Sequence, residues 1–90
     1  MNYTEIIGYF AAFNTTVAFL PQAIKILKTR RTQDISLIMY IVLIIGLLSW
    51  LIYGLLAMSY PIIIANTITL IEAFLILWIK ASNRIKHGEQ

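Results

Sequence analysis

Few side chains in this 90-residue chain can do chemistry. Cysteine is absent and histidine occurs once, at His87, so no thiolate nucleophile, disulfide framework or convergent metal-ligand set is available. What remains is a thin set of polar and aromatic groups inside long apolar runs: Trp50, Asn66, Thr69 and Glu72 in one, and Asn14-Thr15-Thr16 followed by Pro21-Gln22 in the other. Glu72 is the only ionisable group deep in either run. In hydrocarbon a lone carboxyl is expected to be neutral or paired, and its candidate roles are proton relay, ion pathway or a structural hydrogen bond across a helix interface. An amide such as that of Asn66 is costly to bury alone and must find a partner, either on a neighbouring helix or in a cavity. Trp50 reads equally as an interfacial anchor and as the lining of a path. Pro21 leaves the carbonyl of Val17 without its usual donor, which predicts a kink; beside Gln22 and the upstream threonines, that reads as a cavity wall or a flexing point. No enzyme activity, cofactor or metal follows from this set.

The elements that carry these residues follow from composition. Hydrophobic residues make up 60% of the chain and charged residues 12%, about half the usual charged share, and the mean hydropathy is +0.83. No charge interrupts Ile35 to Ile71, and only Glu72 interrupts the continuation to Ile79. As a helix that stretch would be about 67 Å long, against a hydrocarbon core of about 30 Å, so it must cross a membrane twice. Ile6 to Ile24 supplies one more crossing. The expectation is an all-α integral membrane protein, a single three-helix domain with spans near residues 4–28, 36–58 and 61–80 and a basic tail over 81–90. Thr4 or Asn2 is expected to cap the first helix, Asp34 or Ser36 the second, and Pro61 to sit in the first turn of the third. Met39, Leu43, Gly46, Trp50 and Tyr53 alternate steps of four and three, which places them on one face of the second helix.

Charge distribution sets the orientation. Lys25, Lys28, Arg30 and Arg31 occupy the first connection and Lys80, Arg84 and Lys86 follow the last span, while Met1–Glu5 and the second connection carry no Lys or Arg. Both basic segments fall on one side of a three-span chain, which the positive-inside rule assigns to the cytoplasm, with the N-terminus outside. The basic residues therefore point to a lipid bilayer as partner and not to nucleic acid. Met1–Glu5 lacks a basic leader, so the first run reads as a permanent span rather than a removed signal. The Asn14-Thr15-Thr16 sequon lies inside a span, where it has no acceptor role.

Phe19-Leu20-Pro21-Gln22, Thr32-Gln33-Asp34-Ile35-Ser36, Trp50 to Gly54 and Pro61 to Asn66 occur in an order that resembles the bacterial SemiSWEET sugar transporters of the PQ-loop group, over essentially the whole chain. The resemblance implies a parallel two-fold homodimer of six helices, with the third helix lying between the first and second (order 1-3-2). It also implies facilitated movement of a mono- or disaccharide across the inner membrane by alternating access. Three helices packed at ~8–10 Å leave no lumen for such a solute, which independently demands a partner. By the same resemblance Trp50 and Asn66 are substrate-binding positions, Pro21 and Gln22 a hinge, Tyr53 an outer gate, and Met39 and Leu43 an inner gate. Two departures stand out. Ala57 and Ser59 occupy positions where some members carry an arginine and an aspartate, and Glu72 falls where an apolar residue is expected. Glu72 motivates an alternative, a proton-coupled PQ-loop carrier of an amino acid or cation. Length and hydropathy alone would also suit a small structural or pore-forming membrane subunit.

Overall fold

The computed structural model describes residues 2–87, His87 by its backbone alone. It contains three helices, α1 (Tyr3–Thr29), α2 (Leu37–Leu56) and α3 (Tyr60–His87). The start of α1 is capped by Asn2, whose Oδ1 accepts from the Glu5 N–H at 2.8 Å. Ser36, and not Asp34, caps α2 by accepting from the Met39 N–H at 3.1 Å. Left-handed residues turn the chain after both helices: Arg30 (φ 58°) follows α1 and Met58 (φ 53°) follows α2. Pro21 does not break α1, which runs continuously from Tyr3 to Thr29.

All three helices are long and apolar enough to cross a membrane, and their large hydrophobic residues are widely exposed, Phe10 at 71% and Trp78 at 70% among them. Such a surface suits lipid rather than water. The central helix is α3. It packs against both α1 and α2, whose backbones nowhere approach each other within 8 Å. The result is a slab of 50 × 23 × 14 Å, a little more than one helix thick and longer than the ~30 Å hydrocarbon layer.

The core lies toward the basic end, where Ala23 and Ile26 of α1 and Tyr40, Ile44 and Leu47 of α2 close on Ala73, Ile76 and Ile79 of α3. There α3 overruns the expected end of its span at residue 80, and the segment expected as a tail from 81 continues the helix to His87. The reason is a long-range clamp. Lys80 Nζ donates to the Thr32 carbonyl at 2.8 Å, and Asn83 Nδ2 donates to the Arg30 carbonyl at 2.7 Å and to Thr32 Oγ1 at 2.9 Å. These bonds satisfy carbonyls of the α1–α2 connection that no helix uses. At the opposite end α2 and α3 form a tight hairpin, in which a Cβ on Gly54 would lie 2.8 Å from Ile62 Cγ2.

Two substitutions test this packing. Gly54→Ala should lower thermal stability in detergent by about 1–3 kcal/mol through overpacking, whereas Gly46→Ala, whose Cβ would meet nothing within 4 Å, should leave stability unchanged or slightly raised. Equal melting of the two variants would contradict the hairpin geometry. Asn83→Ala removes both side-chain donations to the connection and should cost about 1–2 kcal/mol in the same measurement.

Candidate functional site

Because α3 separates α1 from α2, one face of the slab is concave. The groove there has a volume of about 690 Å³, within the ~300–1,000 Å³ range of small-molecule sites. Small residues make the α1 wall permissive: Gly8, Ala11 and Ala12, with Thr15 and Phe19 further along. Leu43, Gly46, Leu47 and Trp50 form the α2 wall, and Pro61, Ile62, Ala65, Asn66 and Thr69 the α3 floor.

Trp50 is 56% exposed and meets Tyr53 edge-on, with ring centroids 5.6 Å apart and planes at 87°. Its indole is therefore oriented by a neighbour on its own helix while still open to the groove. Asn66 forms no bridge to another helix among the described residues. Its Nδ2 donates to the Ile62 carbonyl one turn back at 2.8 Å, which anchors the amide on the floor. An aromatic face on one wall and an amide on the floor suit a ligand that presents both C–H surface and hydrogen-bonding groups.

Of the residues given a transport role from the sequence, the groove brings together Trp50, Asn66 and Leu43, joined by Thr15, Gly46, Pro61 and Thr69. Tyr53 and Met39, at the two ends of the α2 stripe, are exposed and lie outside the lining. Pro21 and Gln22 line a separate cleft at the basic end of α1. Gln22 is held there by Tyr40, whose hydroxyl donates to Gln22 Oε1 at 2.9 Å. Sequence reasoning missed Tyr40, although a phenol inside an apolar run, in the first turn of α2, needs a partner and so carries a signal. Ala57 and Met58 are exposed and Ser59 half-buried at the opposite end.

Among the described residues Glu72 makes no hydrogen bond across a helix interface, the structural role expected for it. It is 8% exposed, packed inside the bundle and absent from the groove lining. Both of its carboxyl oxygens, like Thr69 Oγ1 one turn earlier, are buried without a hydrogen-bond partner among the described residues.

Comparison with known proteins agrees with this geometry. The family described as PQ loop repeat matches residues 3–63. Among curated relatives, the sugar transporter SemiSWEET of Bradyrhizobium diazoefficiens is 51% identical over 76 residues, covering 84% of this chain and 88% of that protein. Its counterpart in Leptospira biflexa is 48% identical, covering 84% and 89%, and that of Escherichia coli is 46% identical over 86 residues, covering 96% and 97%. A crystal structure of SemiSWEET in the inward-open conformation superposes with a TM-score of 0.91 at 43% identity, covering 98% of this chain and 95% of that one. A crystal structure of a bacterial homologue of SWEET transporters gives 0.82 at 43% identity, covering 90% and 98%. With three membrane-length helices in the order α1-α3-α2 and relatives matched nearly end to end, this multi-pass membrane protein belongs to the SemiSWEET family of the PQ-loop group.

Proposed function

We propose that two copies of this chain, side by side and parallel about a two-fold axis, form a facilitative sugar transporter, a uniporter that moves a mono- or disaccharide down its gradient by alternating access. The observation that carries this reading is the groove: it is open along one face, with Trp50 on one wall and Asn66 on the floor, in a chain whose relatives are named sugar transporters. Apposing a second copy would close the open face and duplicate both side chains around one axis. Each indole would stack on the C–H face of a sugar ring, and each amide would donate to and accept from hydroxyls. No bond is made or broken, so the protein is a carrier and not an enzyme.

The remaining assignments follow the same logic. Pro21 and Gln22 serve as the hinge on which α1 rocks, with the Tyr40 donation to Gln22 fixing the basic half of the helix to α2. Tyr53, next to Trp50, closes the outer side, a role left to it because Ala57 and Ser59 cannot form an ion pair. Met39 and Leu43 close the inner side from the same stripe. The chain sits in the cell's inner membrane with its N-terminus outside and with the first connection and C-terminus cytoplasmic, an orientation supported by the placement of the seven basic residues.

A second reading, proton-coupled carriage of an amino acid or cation, draws on one observation, the unpartnered buried carboxyl of Glu72. Its absence from the groove lining weighs for uniport.

In reconstituted vesicles, Trp50→Ala and Asn66→Ala should each reduce labelled-sugar uptake by about tenfold or more, the scale of a lost stacking or hydrogen-bonding contact of about 1–2 kcal/mol. Wild-type rates in both variants would overturn the pocket assignment. Saturable counterflow with a preferred sugar is expected of a carrier, whereas a pore-forming subunit would leak without saturation. Uptake should also be indifferent to an imposed pH gradient in the wild type and in Glu72→Gln alike. A gradient dependence that disappears in Glu72→Gln would replace uniport with coupling.

A further inference from the structure

The cleft at the basic end of α1 has a volume of about 560 Å³ and shares no lining residue with the groove. Its charged lining consists of Lys25, Arg31 and Asp34, with Gln22 and Gln33 between them. None of the three charged side chains forms an ion pair among the described residues, although all face one cavity. Two cations and one carboxylate held apart around a space are complementary to a ligand that carries both signs of charge.

The position of the cleft narrows the ligand class. A 27-residue helix is about 40 Å long, which exceeds the ~30 Å hydrocarbon thickness. The charge-free run of α1 ends at Lys25, so its last turn and the connection lie in the headgroup layer. The left-handed Arg30 reverses the chain there, and the Arg31 N–H bonds to Thr29 Oγ1 at 3.3 Å, which folds Arg31 back beside the turn that carries Lys25. A simple anion would meet the carboxylate of Asp34 and the negative end of the α1 dipole as well as the two cations. A group with its own positive charge would satisfy all of them.

We propose that this cleft binds the headgroup of a zwitterionic phospholipid, its phosphate on Lys25 and Arg31 and its primary ammonium on Asp34. The phosphate accepts charge-assisted hydrogen bonds from the guanidinium and the lysine ammonium. The ligand's ammonium offers three N–H donors to the carboxylate, which a trimethylated headgroup cannot. Pro21 and Gln22 line the same cleft, so a seated headgroup rests directly against the proline turn of α1.

The test is lipid binding to the delipidated full-length chain, read by native mass spectrometry and by thermal melting in nanodiscs, and it is independent of sugar transport. Phosphatidylethanolamine, phosphatidylcholine and phosphatidylglycerol with matched acyl chains are compared. Phosphatidylethanolamine should bind about tenfold tighter than either of the others, equivalent to about 1.4 kcal/mol. Asp34→Asn should remove its advantage over both other lipids, whereas Lys25→Gln with Arg31→Gln should weaken all three lipids and leave phosphatidylethanolamine ahead of phosphatidylcholine. Lys28→Gln, outside the cleft, should change nothing. Equal binding of the three lipids, preference for phosphatidylglycerol, or a preference that survives Asp34→Asn would overturn the proposal. So would displacement of the bound lipid by millimolar inorganic phosphate, which would make the cleft a plain anion site. Uptake assays on the same preparations report separately on the transport reading.

Discussion

The position of α3 between α1 and α2 is the constraint on which the rest of the molecule depends. Without that intervening helix the two outer helices would close on each other and the concave face would vanish. The core residues that hold it there lie toward the basic end and, Tyr40 apart, are small or branched: Ala73, Ile76 and Ile79 against Ala23, Ile26, Ile44 and Leu47. Small residues also line the α1 wall of the groove, where bulk would fill the space that Trp50 and Asn66 face. The packing that stabilises the bundle and the cavity that gives it a use are therefore two ends of the same slab.

Polar groups in the spans divide by how they are satisfied. Asn14, Thr29, Ser49, Asn66 and Thr67 each donate to a carbonyl four residues back on their own helix, so they tax the fold little. Gln22 with Tyr40, and Lys80 and Asn83 with the α1–α2 connection, instead tie separate elements together. Thr69 and Glu72 lie buried on α3, and their side-chain oxygens have no hydrogen-bond partner among the described residues. An unsatisfied buried group costs on the order of 1–3 kcal/mol, so these two mark the least comfortable point of the bundle.

The helices were legible because hydrophobicity and helix length against bilayer thickness leave a single solution for a chain this apolar. Trp50, Gly46 and Leu43 could be placed on one face because four- and three-residue steps have a fixed angular meaning on a helix. The choice between Asn2 and Thr4, or Ser36 and Asp34, as caps was open because either side chain reaches the same orphan donors. The Tyr40–Gln22 bond spans 18 positions and the Lys80–Thr32 bond 48, and no local pattern encodes such distances. For the same reason hydrophobicity alone ends α3 near its last apolar residue, whereas Asn83 and its partners carry the helix further. Spacing gave the angle between Asn66 and Glu72, but not which of them would face the groove.

The attachments of α1 are unevenly distributed along its length. Its buried residues, Ala23 and Ile26, the bond to Tyr40 and the stapled connection all lie on the C-terminal side of Pro21, while most of the residues before it are exposed. Mechanically, α1 is held most firmly at its basic end, meets α3 more lightly toward its other end, where Gly8 lies against Pro61, and lacks one backbone bond close to the firm support. Geometrically, a small change of angle at such a root displaces the far tip in proportion to the length beyond it, and most of this 27-residue helix lies beyond Pro21.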